Sequence, residues 1–191
     1  EKNKILETSS PKAKTKLDKL GIFKKDKLLE YISKNESRGI NILSNQVDNM
    51  ILSYKCGSGN IVTDLTQMKT TMKSSLKNNK PIINIKITAD GAIREITCNK
   101  DIENGKVITK IEKKTEKKVK KQVEEAISTI QKKYKSDIFG FGNLFYKKYP
   151  KYFNKNQKNW NDKVFPKIKV NVVVDISLLS KGSVENSIKW E

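Results

Sequence analysis

Alternating apolar and polar residues predict strands at several points along the chain. The alternation is clearest at residues 83–88 and 170–178, where every second side chain is apolar. Val173 interrupts the polar face of the last strand, so we expect that face to be partly covered. Shorter stretches rich in β-branched and aromatic residues predict further strands at residues 20–23, 28–32, 47–56, 61–71 and 93–96.

Turn-forming residues join these strands into predicted hairpins. Lys25-Asp26 follows the first strand, and Gly57-Ser58-Gly59-Asn60 separates residues 47–56 from residues 61–71. A polar loop at residues 77–80 precedes the alternating segment. Asp90-Gly91 predicts a further tight turn, which leads into residues 93–96.

A long amphipathic helix is predicted over residues 107–134. Its basic face carries lysines 110, 113, 114, 117, 120 and 121, and residues 106–135 contain 11 lysines and 4 glutamates, a balance of +7. We interpret the lysines first as a solvated face. The opposite face is apolar and is expected to be buried against the sheet: Ile108, Ile111, Thr115, Val119, Val123, Ala126, Ile127 and Ile130.

Two shorter helices are also predicted. Ser33 followed by Glu36 has the spacing of a capping box, which favours a helix over residues 34–43. Gly39 weakens this prediction, because glycine is a poor helix former. Ser136-Asp137 is positioned to cap a second helix that runs towards Tyr149 and stops at Pro150.

Strands, then helices, then a final strand predict an α+β fold. We expect a mostly antiparallel β-sheet packed on one face by the long amphipathic helix and by a second, aromatic-rich helix. Residues 1–44 are interpreted as the tail of a preceding domain, including a hairpin and a short helix, and residues 45–191 as a C-terminal α+β domain. The chain begins at Glu1, so we expect an upstream segment to be missing.

The net charge of +19 favours acidic partners such as nucleic acid, anionic lipid or another polyanion. However, 38 of the 40 basic residues are lysine, whereas nucleic-acid readers usually rely on arginine. General surface charge is therefore the leading interpretation, and a basic module that binds nucleic acid or another polyanion is the alternative. No apolar run is long enough to cross a bilayer, so we expect the chain itself to be soluble.

The sequence contains no histidine, which excludes Ser-His-Asp and Cys-His nucleophiles and zinc sites that contain histidine. Cys56 and Cys98 can form one disulfide, but we expect two buried free thiols. The carboxylates are scattered without a catalytic spacing. We therefore expect no catalytic residue, no metal site and no cofactor.

Aromatic residues are concentrated near residues 139–165, which hold nine of the fourteen. Interleaved lysines are compatible with base stacking or a membrane interface. A core between helices and sheet explains the rings better, since Phe141, Phe145 and Tyr149 share one helix face. Gly140 and Gly142 lack the remainder of a phosphate-binding motif, so we expect them to allow close helix packing.

Three stretches resemble the C-terminal region of the GerAC family. They are the Glu36-Ser37-Arg38-Gly39 element after the first hairpin, Asp137-Ile138-Phe139-Gly140-Phe141-Gly142 with Tyr149-Pro150, and Asn159-Trp160 with Phe165-Pro166 and the final strand. The resemblance spans about residues 20–178. It implies the C subunit of a bacterial spore nutrient germinant receptor, a lipoprotein on the outer face of the inner spore membrane without known enzymatic activity.

The family implies A and B receptor subunits as partners, a lipid anchor upstream of this sequence, an anionic membrane surface nearby, and no nucleic acid. Arg38 stands beside Gly39 and is one of only two arginines in the sequence. Because arginine suits a fixed hydrogen-bonded contact, we expect Arg38 and Glu36 to have a structural role at a junction. Two groups of candidate residues follow. The interaction or structural motif comprises Glu36, Arg38, Gly39, Asp137, Phe139, Gly140, Gly142 and Trp160, and the anionic-surface contact comprises Lys113, Lys117 and Lys121.

Overall fold

The computed structural model describes residues 19–24, 26–99 and 104–179. Residues 1–18 of the predicted tail of a preceding domain (1–44) lie outside the described residues. Six strands and four α-helices are described, which confirms the α+β fold. They are β1 (Lys19–Lys24), β2 (Lys27–Ser33), α1 (Lys34–Leu43), β3 (Met50–Cys56), β4 (Gly59–Lys77), β5 (Lys80–Ile96), α2 (Gly105–Thr129), α3 (Phe141–Lys148), α4 (Pro150–Asn156) and β6 (Lys169–Leu179).

The first hairpin and helix lie where the sequence predicts them. β1 pairs antiparallel with β2 in a separate two-stranded sheet, and α1 follows directly. The predicted Ser33–Glu36 capping box falls on side chains outside the described ones. Ile22, Ile32 and Ile40 belong to the same hydrophobic core as the main sheet. The division proposed near residue 44 stays a prediction.

The main sheet has the order β3-β4-β5-β6. β3, β4 and β5 are antiparallel neighbours, whereas β6 returns through the helices and pairs parallel with β5. The β4–β5 turn contains Asn78 and Asn79, both in the left-handed region, with φ of 50° and 59°. Asparagine tolerates this conformation better than most residues, which suits the two positions to a tight hairpin turn.

The predicted turn at Asp90-Gly91 is wrong, because β5 continues through both residues. Gly91 pairs with Leu65 on one side and Leu178 on the other. A Cβ at this glycine would lie 2.6 Å from the backbone oxygen of Asp64. Glycine is therefore required here for close packing inside a strand. The dipeptide Asp-Gly is compatible with this role and with a tight turn, so the local sequence does not distinguish them.

The apolar stripe of α2 is confirmed as its buried face. Ile111, Thr115, Val119 and Val123 are each at most 3% exposed, and a π-helical turn extends the helix to Tyr134. Ile108 is only partly buried, because it lies near the start of the helix. The six lysines predicted on the opposite face are exposed.

Both edge strands of the sheet contact α2. On β3, the Tyr54 hydroxyl lies 3.3 Å from the Thr115 hydroxyl. On β6, the backbone N–H of Leu178 donates to Glu112 Oε1 at 2.9 Å, so a helix carboxylate satisfies a donor on an exposed strand edge. Both edge strands of the sheet are therefore linked to α2 by hydrogen bonds.

One smaller expectation is confirmed and one is wrong. α3 ends at Lys148, near the predicted stop at Pro150, and Pro150 begins α4. Proline fits the first turn of a helix because the N–H that it lacks would have no partner there. Val173 on β6 is 59% exposed, so in the described structure that face is not covered.

Cys56 and Cys98 form a disulfide, so the expectation of two free thiols is wrong. The β3–β4 turn and the end of β5 meet at one end of the sheet. There the Thr97 N–H donates to the Asn60 backbone oxygen at 2.9 Å, and the Asn60 N–H donates to Thr97 Oγ1 at 2.8 Å. A Cβ at Gly59 would lie 2.5 Å from the Thr97 carbonyl carbon. Cys56 and Cys98 are far apart in the sequence, and only the strand pairing brings them together.

Candidate functional site

Five of the predicted motif residues meet in one place, which we call the Asp137 cluster (Asp137, Phe139, Gly140, Gly142 and Trp160). The Asp137 carboxylate accepts the backbone N–H groups of Phe141 at 2.9 Å and Gly142 at 2.6 Å. It also accepts the indole N–H of Trp160 at 2.8 Å. Asp137 thereby holds the first turn of α3 and the ring of Trp160 together.

The glycines and rings of the Asp137 cluster have distinct packing roles. A Cβ at Gly142 would lie 2.9 Å from Trp160 Nε1, so the indole can approach the helix only where there is no side chain. Gly140 has φ of 74° at the helix start, a conformation that favours glycine. Phe139 packs against the buried Phe141 with ring centroids 5.3 Å apart. The cluster has the geometry of a structural support.

The predicted aromatic core is confirmed. Phe141, Phe145 and Phe165 are fully buried, and Trp160 is 5% exposed. Tyr146 is 54% exposed and lies at the rim with its ring against Phe153. Most of these rings are therefore not free to stack on nucleic-acid bases.

The second group of motif residues lies where α1 crosses α2. A Cβ at Gly39 would lie 2.4 Å from the Gln122 carbonyl oxygen and 2.6 Å from Ala126 Cβ, so this glycine sets the distance between the helices. Arg38 is half-buried in α1, and the side chain of Glu36 is outside the described residues. Their predicted role at a junction stays a prediction, which the melting temperature of Arg38→Lys would test.

A cavity of about 180 Å³ lies beside this crossing, between β2, α1 and α2. Ile32, Ile40 and Ala126 give it an apolar wall. The amide Oε1 of Gln122 lines it and has no hydrogen-bond partner in the described structure. The cavity marks imperfect packing between the hairpin region and the central helix.

The lysines predicted to contact an anionic surface are exposed on α2, but two have carboxylate partners. Lys113 pairs with Glu116 at 2.9 Å, and Lys121 lies 3.7 Å from Glu125. The carboxylate of Glu116 raises the pKa of Lys113 by hydrogen bonding. Lys117 is exposed between them. Internal pairing reduces the net positive charge that this face offers to a partner.

Sequence reasoning missed a second basic surface, an open cleft of about 550 Å³ at the β4–β5 turn. Lys77 and Lys80 lie more than eighty residues before Lys163, Lys167 and Lys169, so no local sequence pattern places the five lysines together. Lysines on alternate residues at the start of β6 were the available signal. We call this surface the basic cleft, defined by Lys77, Lys80, Lys163, Lys167 and Lys169.

Within residues 19–24, 26–99 and 104–179, no group of three or more Cys, Asp or Glu residues is placed to hold a metal ion. No described helix is both long and apolar enough to cross a bilayer. Glu30 hydrogen-bonds to Lys133 and to the Tyr134 hydroxyl, and these contacts lower the pKa of its carboxylate. That arrangement links β2 to the end of α2.

Comparison with known proteins identifies relatives of this chain. The family model described as spore germination B3/GerAC like, C-terminal, matches residues 18–182. Spore germination protein KC of Bacillus subtilis (strain 168) is 27% identical over 188 residues, covering 97% of this chain and 46% of that protein. Spore germination protein B3 of the same organism is 22% identical over 183 residues, covering 94% and 49%.

A solved structure has the same fold. The crystal structure of the GerBC protein superposes with a TM-score of 0.77 at 21% identity, covering 88% of this chain and 53% of that chain. The chain therefore spans about half the length of the relatives that it matches.

Proposed function

Because the chain belongs to the spore germination B3/GerAC-like family, we propose that it acts as the C-terminal part of a germinant-receptor C subunit in nutrient-triggered spore germination. The family match over residues 18–182 carries the proposal. A role in spore germination follows from that membership. The motif residues of the resemblance gather in the Asp137 cluster and at the α1–α2 crossing, which supports a rigid domain that presents surfaces to other proteins.

The proposed partners are the A and B subunits of the receptor, and the proposed location is the outer face of the inner spore membrane. A lipid anchor outside this sequence would hold the domain there. The Cys56–Cys98 disulfide supports a location outside the cytosol, since structural disulfides persist mainly in oxidising compartments. The contribution of the domain would be binding and positioning, without chemistry of its own.

The test is genetic and uses spores that retain this receptor as their only nutrient receptor. Removing the gene should abolish the response to nutrients and leave a nutrient-independent trigger effective, and restoring the gene should restore the response. A pull-down of the chain with the water-exposed parts of the A and B subunits tests the contacts. Normal nutrient germination without the gene would refute the role, and turnover of a nucleotide, peptide or glycan by the purified chain would refute the non-enzymatic assignment.

A further inference from the structure

The basic cleft lies at the end of the sheet where the β4–β5 turn faces the start of β6. Lys77 and Lys80 flank the turn, and Lys169 begins β6 beside them. Lys163 and Lys167 come from the helical turns that precede β6. All five lysines are exposed, so their ammonium groups are available to a ligand.

Among the described residues, no carboxylate neutralises the charge of the basic cleft. No Asp or Glu is among the described residues that line it. In the part of the chain that the structure describes, none of the five lysines forms an ion pair. Ammonium groups gathered without carboxylates repel one another, and a bound anion would relieve that repulsion. The lysine face of α2 differs because carboxylates on the same helix lie beside its lysines.

The lining of the basic cleft also has an apolar part. Pro81, Ile82 and Val164 lie among the lysines, together with the half-buried ring of Tyr152. The phenol of Tyr152, whose pKa is raised by burial, is protonated at neutral pH and can donate a hydrogen bond. A free inorganic ion has no apolar group to place against these side chains, whereas a phospholipid carries acyl chains on the same glycerol backbone as its phosphate. Tyrosine beside lysine is also a frequent combination at membrane interfaces.

We propose that the basic cleft binds the phosphate headgroup of an anionic phospholipid and so orients the domain on the membrane. The proposal rests on the proposed function, since that function places the domain beside a membrane. The volume of about 550 Å³ falls within the range of small-ligand sites, which is consistent with one headgroup. Headgroup contact would add a second attachment to the lipid anchor, because a single acyl chain gives only marginal membrane binding.

Two charge-matched variants of the full 191-residue chain test the proposal by vesicle co-sedimentation. One carries K80Q, K163Q and K167Q in the basic cleft, and the other carries K113Q, K117Q and K121Q on α2. Each removes three positive charges from exposed positions, so circular dichroism should show the same fold. Binding to phosphatidylglycerol vesicles should fall by about tenfold or more in the cleft variant and by less than about threefold in the α2 variant.

Several outcomes would overturn the proposal. Equal losses in the two variants would indicate diffuse charge attraction, and a larger loss in the α2 variant would assign the contact to that face. Equal binding of the unmodified chain to phosphatidylcholine vesicles, or no binding to either vesicle, would also refute it. A Lys167→Glu variant that retains binding would do the same without depending on three simultaneous changes.

Two competitors distinguish other anionic ligands. Excess inorganic phosphate should displace the chain from vesicles only at concentrations where salt of equal ionic strength does so too. Displacement at lower concentration would assign the cleft to free phosphate, and tighter binding of a single-stranded oligonucleotide would assign it to nucleic acid. Failure of these assays would leave the genetic test of the receptor role intact, so the two proposals can fail separately.

Discussion

Asp137 is a single side chain that organises a large part of the aromatic core. It accepts two backbone N–H groups at the start of α3 and the indole N–H of Trp160. Its own backbone N–H donates to Asn161 Oδ1 at 2.9 Å. The residue therefore connects the chain before α3 to the turn that begins at Trp160 through its backbone and its side chain.

Replacing Asp137 with alanine should lower the free energy of unfolding by about 3 kcal/mol, because three donors lose a charged acceptor. Asp137→Asn keeps one carbonyl oxygen, so its loss should be smaller. Urea unfolding followed by circular dichroism measures both changes. Asp48→Ala, which removes the same charge from an exposed loop, is the control. Equal losses at the two positions would contradict the structural role of Asp137.

Gly39→Ala tests the close contact between α1 and α2. Helix propensity alone favours alanine over glycine by about 1 kcal/mol. The added methyl group would lie 2.4 Å from the Gln122 carbonyl oxygen, so we expect a net destabilisation of about 1–3 kcal/mol instead. Gly105→Ala at the start of α2 is the matched control, since nothing lies within 4 Å of its Cβ position. A stabilised Gly39→Ala protein would show that the helices are not in this contact.

At the scale of elements, the β1–β2 hairpin is attached to the end of α2 by polar contacts. Glu30 accepts from Lys133 Nζ at 2.7 Å and from the Tyr134 hydroxyl at 2.9 Å. Ser136 Oγ donates to the Phe23 backbone oxygen at 2.9 Å. These contacts join segments more than one hundred residues apart, and they add directional constraints to the buried isoleucines of the hairpin.

Glu30→Gln should lower the melting temperature at pH 7, and the difference from the unmodified protein should disappear in acid. The hydrogen bond from Lys133 lowers the pKa of Glu30 below its ordinary 4.5. A carboxylate with a depressed pKa stabilises the fold above its unfolded-state pKa and loses that contribution as pH falls through the folded-state pKa. Melting temperatures of Glu30→Gln and of the unmodified protein at pH 7 and pH 3 measure this loss of stabilisation.

The control for Glu30 is Glu124→Gln, which removes an exposed carboxylate 3.8 Å from Lys120 within α2. A pair within one helix connects no separate elements, so its loss should have a smaller effect at pH 7. A Glu30→Gln difference that persists unchanged at pH 3 would contradict the ionic origin of the contact.

The Cys56–Cys98 disulfide fastens one end of the sheet. The two cysteines are 42 residues apart in sequence. For a loop of this length, the loop-entropy relation predicts that the disulfide stabilises the fold by at most about 4 kcal/mol. Removing a disulfide commonly lowers the free energy of unfolding by about 2–4 kcal/mol. The double variant C56S/C98S should therefore unfold at a lower urea concentration. Thiol labelling of unreduced, denatured protein should detect no free cysteine, and two labelled thiols would contradict the pairing.

At the scale of the whole molecule, the buried face of α2 is contacted by several other parts of the described structure. The sheet contacts it from both edges, α1 crosses its second half, and Gln131 in the following turn donates to the backbone oxygens of Phe165 and Ile168. Because these parts share one helix and one hydrophobic core, we expect the domain to unfold as a unit.

Val123→Asp tests this cooperativity. Val123 is fully buried, so an unpaired carboxylate there should cost several kcal/mol, about 3 or more. Circular dichroism and tryptophan fluorescence should report the same lowered transition. Lys120→Asp changes an exposed position of the same helix and should have little effect. Separate transitions for the two probes would show that the helical and aromatic parts unfold independently.

The sequence by itself determined the elements whose signals are local. The period of the apolar stripe defined α2, alternation defined β6, and the spacing of Phe141, Phe145 and Tyr149 identified the aromatic core. The family motifs were also recognisable from the sequence, since each is a short run of residues whose order does not depend on the rest of the fold. These features depend on neighbours within a few residues, which is the range that periodicity reports.

The tertiary structure alone decided what depends on distant segments meeting. Strand pairing turned Gly91 from a predicted turn into a strand residue and brought Cys56 to Cys98. The fold likewise gathered Lys77 and Lys167 into a cleft that no described Asp or Glu lines. Such outcomes follow from register and packing between segments, and the same local sequence is compatible with several of them.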